Sequence, residues 1–216
     1  GNLEDITLRA LRVLRQCDLI AAEDTRRTRQ LLAHFQIHKP LLSCHAHNET
    51  IRAPQLVSRL QQGATIALVT DAGSPGISDP GERLVRAVLE AGLRVEPVPG
   101  PCALIAALSA SGLPTGRFHF IGFLPHKPGP RKRLLESLRQ IPGTIVLYES
   151  PYRIHRLLGE LAELYPARQI VLARELTKKF EQFLRRKAKF GLFRCNMYLQ
   201  QARNSSFIFD GFLFDN

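Results

Sequence analysis

The stretch from Thr65 to Gly92 constrains this chain most. Thr65-Ile66-Ala67-Leu68-Val69-Thr70 is a largely apolar run of buried-strand type. It stops at Asp71-Ala72-Gly73-Ser74-Pro75-Gly76, a turn too rich in glycine and proline to continue as strand or helix. Apolar residues return at helical spacing from Gly81 to Ala91, and Gly92 supplies the stop. A strand that ends in such a turn and feeds a helix is the repeating unit of a parallel sheet, because parallel neighbours need a long crossover. The unit then repeats: Arg94 to Val98 reads as a strand, Pro99-Gly100-Pro101 as a second sharp turn, and Ala103 to Ser111 as an apolar helix.

The same rhythm extends in both directions. Leu8, Leu11, Val13, Leu14 and Cys17 have helical spacing within Ile6 to Cys17. Leu19 to Ala22 is a short buried strand that ends in the polar Glu23-Asp24-Thr25-Arg26. A helix is expected over Thr28 to His34, a strand over Leu41 to Cys44, and a helix over Ala53 to Gln62. Gly112 to Gly116 breaks the pattern and reads as a linker. Beyond it come a strand at Phe118 to Phe123, a basic loop at Lys127 to Arg133, and a helix at Leu134 to Gln140. A strand at Thr144 to Tyr148, a helix at Tyr152 to Leu164 and a strand at Gln169 to Ala173 complete a second α/β unit. The expected division is therefore 1–112, 113–185 and a tail, 186–216. Six of the 12 phenylalanines fall in that tail, which fits neither the helix nor the strand pattern.

Charge and cysteine usage narrow the classes. Against 19 Asp+Glu stand 30 Lys+Arg, and the net charge of +11 suits a polyanionic partner, nucleic acid first. No run approaches the roughly 18 apolar residues of a membrane span, and no signal peptide opens the sequence. Cys17, Cys44, Cys102 and Cys195 lack CxxC pairing, which suits reduced thiols in a cytoplasmic protein.

The chemistry is expected at the two turns, since ligands of open parallel sheets bind beyond the carboxyl ends of strands. Glycine lets the backbone reach positive φ and lets a ligand come close, proline stiffens the rest, and Asp71 can accept hydrogen bonds from ligand hydroxyls or an amine. Neither turn is GxGxxG or GxxxxGK[ST], so dinucleotide and P-loop readings are weak. In order along the chain stand Gly1-Asn2-Leu3-Glu4-Asp5-Ile6-Thr7, Ala22-Glu23-Asp24-Thr25-Arg26, Asp71-Ala72-Gly73-Ser74-Pro75, Ser78-Asp79-Pro80-Gly81, Pro99-Gly100-Pro101, Ser109-Ala110-Ser111-Gly112-Leu113-Pro114 and Tyr148-Glu149-Ser150-Pro151-Tyr152-Arg153. Together these resemble the bacterial small-subunit ribosomal RNA methyltransferase I family of the tetrapyrrole methylase superfamily, from Gly1 to about Arg185.

The resemblance implies a homodimer of subunits with two α/β domains, the first sheet mostly parallel and the second mixed. It implies S-adenosylmethionine as cofactor and 2′-O-methylation of a cytidine in small-subunit (16S) ribosomal RNA, free or in the 30S subunit. By position it implies cofactor contacts from Asp71, Ala72, Gly73 and Ile77, with Ala103 and Leu104 on the adenosine side and Tyr148 closing the pocket. Family members begin with an apolar strand and a Pro-x-Pro-Ile-Gly turn, whose last glycine corresponds to Gly1; the only methionine is Met197, and a truncated start is expected. At the other end Arg186-Lys187-Ala188-Lys189 replaces the family pattern, and a frameshift or gene-boundary error is the expected cause.

A ribose 2′-hydroxyl is a poor nucleophile, so a base or strong acceptor is sought. Glu149, just past a strand end, is the catalytic candidate, against a structural carboxylate paired with Arg153. Arg26, Arg27, Lys127, Arg131, Lys132 and Arg153 are candidate phosphate contacts, which position RNA without reading its sequence. Cys44, His45, His47 and Glu49 lack the spacing of a zinc site, and no metal is expected. The competing readings are a methyltransferase for a tetrapyrrole or other small molecule, a non-catalytic RNA-binding protein, and a defective fragment with open sheet edges.

Overall fold

The computed structural model describes residues 1–188 and the strand at 211–214. The chain divides into two compact units, the first ending at Cys102 and the second beginning at Ala103.

The first unit contains α1 (Leu8–Gln16), β1 (Leu19–Ala22), α2 (Thr25–His34), β2 (Leu41–Ser43), α3 (Glu49–Gln61), β3 (Ile66–Val69) and α4 (Glu82–Glu90). Its strands form a parallel sheet in the order β2-β1-β3. All four residues of β1 are buried, as a central strand covered on both faces requires. Side chains alternate across the sheet. Ile20 packs with Leu14, Cys17 and Leu32 on one face, whereas Leu19 and Ala21 pack with Leu56, Leu84 and Val88 on the other.

Helix starts follow their caps. The Thr7 hydroxyl accepts the Ala10 amide to open α1. Asp24 Oδ1 accepts the Arg26 amide at 2.8 Å, so α2 begins at Thr25, ahead of the expected Thr28. The expected strand at 94–98 does not form among the described residues. Pro97 has no N–H to give a ladder, and Val95 is exposed, so the segment has neither pairing nor burial to hold it extended in a sheet.

The second unit contains α5 (Ala103–Ser111), β4 (Phe118–Phe123), α6 (Pro128–Ser137), β5 (Thr144–Tyr148), α7 (Ile154–Leu164), β6 (Gln169–Arg174), β7 (Gln182–Lys187) and β8 (Gly211–Phe214). The sheet order is β4-β5-β8-β6-β7. Only β4 and β5 pair in parallel, and the other neighbours are antiparallel, so this sheet is mixed. Its core gathers Leu135, Leu138, Ile145, Leu147, Leu157, Leu161, Ile170 and Leu172.

Three expectations change here. The units divide ahead of the Gly112 linker, because α5 lies against β6 and β8 and Arg185 of β7 donates to the carbonyls of Ala110 and Ser111 at its carboxyl end. The expected basic loop at 127–133 is largely helix. Pro128 occupies the first turn of α6, where a missing N–H costs no helix bond. The expected tail begins inside β7, which runs to Lys187, and its apolar Gly211-Phe212-Leu213-Phe214 segment enters the middle of the sheet. The rest of the tail, with Cys195, lies outside the described residues.

Candidate functional site

At the carboxyl ends of β1 and β3 the first unit collects acidic and hydroxyl groups. The Thr70 hydroxyl donates to Glu23 Oε2 at 2.6 Å, and the Asp71 amide donates to the same oxygen at 3.1 Å. Glu23 thereby clamps the start of the glycine turn. Asp71 Oδ2 lies 3.4 Å from Arg27 Nη1, while its Oδ1 is buried without a partner among the described residues. Burial, then the charge of Glu23, raises the Asp71 carboxyl above its ordinary value. Asp79 faces the same groups. Burial and then Glu23 push its carboxyl up to about 6, although the Thr70 hydroxyl pulls the other way.

The turn itself is open on its ligand side. Gly73 has a φ of +82°, and a Cβ there would meet nothing within 4 Å. Ala72 and Ile77 are exposed. Gly81 is the opposite case, with a φ of +135° and Leu68 Cδ2 only 3.0 Å from where a Cβ would sit. Gly81 opens α4 without a side-chain cap of its own. Buried Glu49 supplies one, its Oε1 accepting the amides of Gly81 at 3.1 Å and Leu84 at 2.9 Å. The orphaned Asp71 oxygen and the unfilled space over Gly73 fit a ligand that brings a donor to a strand end.

In the second unit Tyr148 closes β5. Its hydroxyl accepts the Leu104 amide at 3.1 Å, at the start of α5, beside Ala103. Glu149 follows and is buried. Its Oε2 lies 2.9 Å from Arg131 Nη1, its Oε1 lies 2.6 Å from Arg153 Nη2, and Oε1 also accepts the Ser150 amide at 2.9 Å. Arg131 Nε reaches Glu160 at 2.6 Å. The residue sought as a base is therefore held in an ion-pair network.

The expected phosphate contacts separate into three groups. Arg131 is buried on Glu149 and Glu160, so it is corrected from a surface contact to a core residue. Two carboxylates meet its guanidinium away from solvent, on Nη1 and Nε. Arg153 is largely committed to Glu149 and the Leu124 carbonyl, and Arg27 is engaged with Asp71. Arg26 is exposed but forks onto Asp24, which holds that carboxyl down at about 2. Lys127 and Lys132 are exposed on α6 and the residue before it.

Cys44 lies in the core, Glu49 is spent on α4, and His45 Nδ1 is buried without a partner among the described residues. No group of three or more metal-type side chains converges among the described residues. The partners missed from sequence are Glu23, Thr70, Asp79 and Glu49. One signal existed: Glu23 follows β1 as Thr70 and Asp71 follow β3, and polar residues just past parallel strands face one edge.

A family model described as Tetrapyrrole (Corrin/Porphyrin) Methylases matches residues 1–189. The chain belongs to the tetrapyrrole methylase family. Within this methylase family it is 56% identical over 185 residues to the ribosomal RNA small subunit methyltransferase I of Xylella fastidiosa (strain Temecula1), covering 85% of this chain and 68% of that protein. It is 52% identical to the protein of the same name from Pseudomonas aeruginosa and 54% identical to that from Escherichia coli O157:H7, covering 84% of this chain and 64% of each relative. The chain thus spans about two thirds of the length of these curated relatives.

Solved methylases share the fold. A uroporphyrin-III C-methyltransferase from Thermus thermophilus, complexed with S-adenosylhomocysteine, has a TM-score of 0.63 at 19% identity, covering 100% of this chain and 93% of its own. A cobalt precorrin-4 methyltransferase of cobalamin biosynthesis has a TM-score of 0.65 at 19% identity, covering 99% of this chain and 90% of its own. No helix among the described residues is long and apolar enough to cross a membrane.

Proposed function

We propose that this chain is an S-adenosylmethionine-dependent methyltransferase that modifies the 2′-hydroxyl of a cytidine in small-subunit ribosomal RNA. The observation that carries this reading is the identity, above one half over about 85% of the chain, to relatives bearing the name ribosomal RNA small subunit methyltransferase I. The net charge of +11 supports a polyanionic substrate.

When bound, the sulfonium cofactor supplies the methyl group. The protein's share is orientation and proximity. Asp71 Oδ1, buried and without a partner among the described residues, accepts a donor from the cofactor, and the open backbone at Gly73 lets it approach. Ala72 and Ile77 flank that approach, and the family resemblance adds Ala103, Leu104 and Tyr148 to the proposed contacts. Glu149 is reassigned within this proposal. With Arg131, Arg153 and the Ser150 amide on its oxygens it orients the turn after β5 rather than taking a proton. Lys127 and Lys132 are retained as phosphate contacts, with Arg26 beside its carboxylate partner. A homodimer working in the cytoplasm belongs to the same reading, and sedimentation measures the first part of it.

The test is transfer of labelled methyl from S-adenosylmethionine to small-subunit particles, with free ribosomal RNA and a uroporphyrinogen as parallel substrates. Label in the ribose of a cytidine is expected. Label in the tetrapyrrole alone moves the assignment to small-molecule chemistry, and RNA binding with no heat on titrating the cofactor makes the chain a binding module.

A further inference from the structure

The carboxyl edge of β4 and β5 displays aromatic surface that the core does not use. Tyr152 is 96% exposed and Phe123 is 50% exposed. Phe123 ends β4, and its register partner is Tyr148 at the end of β5. The Phe123 and Tyr148 rings meet edge-on with centroids 5.7 Å apart, and Phe120 supports Tyr148 at 4.9 Å. Tyr152 stands in the turn after β5. Arg153 Nη1 donates to the Leu124 carbonyl at 3.3 Å, which fastens that turn beside the residue following Phe123. The turn that carries Tyr152 and the end of β4 that carries Phe123 are thereby tied at one edge, and the Glu149–Arg153 ion pair fixes the turn.

Cations share this edge. Lys127 is exposed in the segment between β4 and α6, and Arg133 is exposed on α6, the helix whose Arg131 holds Glu149. The amino end of α6 is a poor anion site by itself, because Pro128 and Pro130 have no N–H to offer. Gly129 keeps its N–H between them, so a phosphate here is held chiefly by side chains. Exposed aromatic rings on an edge that also carries exposed cations match single-stranded RNA, whose unstacked bases present free faces while its phosphates need neutralising. A duplex presents no free base face.

We propose that Tyr152, exposed on the strand edge that also ends in Phe123, stacks an unpaired nucleobase of the RNA substrate while Lys127 and Arg133 take the adjoining phosphates. This rests on the RNA-methyltransferase reading and adds to it the form of RNA and the side chains that hold it.

The chain has no tryptophan, so Tyr152→Trp places a single reporter at the patch. The variant is titrated with an unpaired oligoribonucleotide carrying a cytidine and with the same sequence annealed to its complement. Saturable quenching by the single strand is expected, with unchanged emission for the duplex. Tyr152→Ala should weaken single-strand binding about tenfold, equivalent to about 1.4 kcal/mol, which lies in the range of one base–aromatic stack. Tyr152→Phe should bind like the unaltered chain, and S-adenosylmethionine affinity should stay the same in all three. No quenching, or equal affinity in Tyr152→Ala, overturns the stacking proposal. An emission change on concentrating the protein alone assigns the patch to a protein contact and also overturns it. If the unaltered chain methylates RNA but Tyr152→Ala matches it, only stacking fails; if the unaltered chain binds neither cofactor nor RNA, the functional reading fails with it.

Discussion

Arg131 Nη1 lies 2.9 Å from Glu149 Oε2, and each side chain is only 1% exposed. The pair ties α6 to the turn after β5, and Glu160 of α7 holds the other side of the same guanidinium at 2.6 Å. A carboxylate enclosed in this way acts through position. Removing Arg131 leaves the buried Glu149 with Arg153 and the Ser150 amide on one oxygen only, and breaking a buried ion-pair network in this way is costlier than never having buried it.

Arg131→Met should therefore lose about 3–5 kcal/mol of stability, read from the urea unfolding midpoint. Adding Glu149→Gln should recover part of that loss, because the buried carboxylate that has lost one of its two arginines goes with it. A double variant as unstable as the sum of its parts would show that the two residues do not act as a pair.

Glu149→Gln alone separates positioning from proton transfer. As a positioning change it should lower turnover only modestly and leave the pH profile of kcat in place. Loss of a general base costs about 100-fold or more. Such a loss in a fully folded variant, with a missing limb in the pH profile, would restore Glu149 as the base.

Asp79 sets a pH dependence. Its carboxyl rises from 3.8 to about 6 through burial and the neighbouring charge of Glu23. The folded chain then binds the proton more tightly than the unfolded chain. Its contribution is complete below 3.8 and is lost as pH rises through about 6. Asp79→Asn should consequently gain thermal stability over the unaltered chain at about pH 8 and gain less at about pH 5, with each kcal/mol worth roughly 2–4 °C in Tm. Thermal scans at the two pH values check the sign, and an equal gain at both would refute it.

Asp71→Asn should reduce S-adenosylmethionine affinity by about tenfold or more, the worth of a hydrogen bond to a charged group. Calorimetric titration reads this. The same change should not reduce stability, since burial and Glu23 already disfavour the Asp71 charge. Affinity and stability moving down together would point to a structural role.

Two glycines of the same turn should respond differently to alanine. At Gly81 a Cβ would press on Leu68 Cδ2 at 3.0 Å and on the Gly76 nitrogen at 3.2 Å, with φ at +135°. Strain of this kind costs about 1–3 kcal/mol, and thermal unfolding without cofactor should show it. At Gly73 a Cβ meets nothing within 4 Å, so the cost should come from backbone conformation alone and be smaller. Its larger effect should be on cofactor affinity, measured as a reduced thermal shift on adding S-adenosylmethionine.

What could be read from sequence depended on where the information lies. The apolar run Thr144–Tyr148 and the helix Ala103–Ser111 were legible to the residue, because both are apolar segments bounded by turn signals. The Asp71 turn was legible because its glycines and proline interrupt both strand and helix patterns. The 94–98 segment misled because its apolar alternation resembles a strand, although Pro97 cannot give a ladder hydrogen bond. The 127–133 segment misled in the other direction, since proline breaks a helix in its interior and favours one at its first turn.

The sequence by itself determined most of the succession of strands and helices up to β6, the strand-end turns and the family. These depend on residues near one another along the chain. Tertiary structure alone decided which arginine is buried and which is free for solvent, that Glu49 caps α4, and that Glu23 serves the Asp71 turn. Each is a partnership between residues far apart in sequence. A charged side chain becomes a core ion pair or a surface contact only when packing sets the distance to its partner and removes the water.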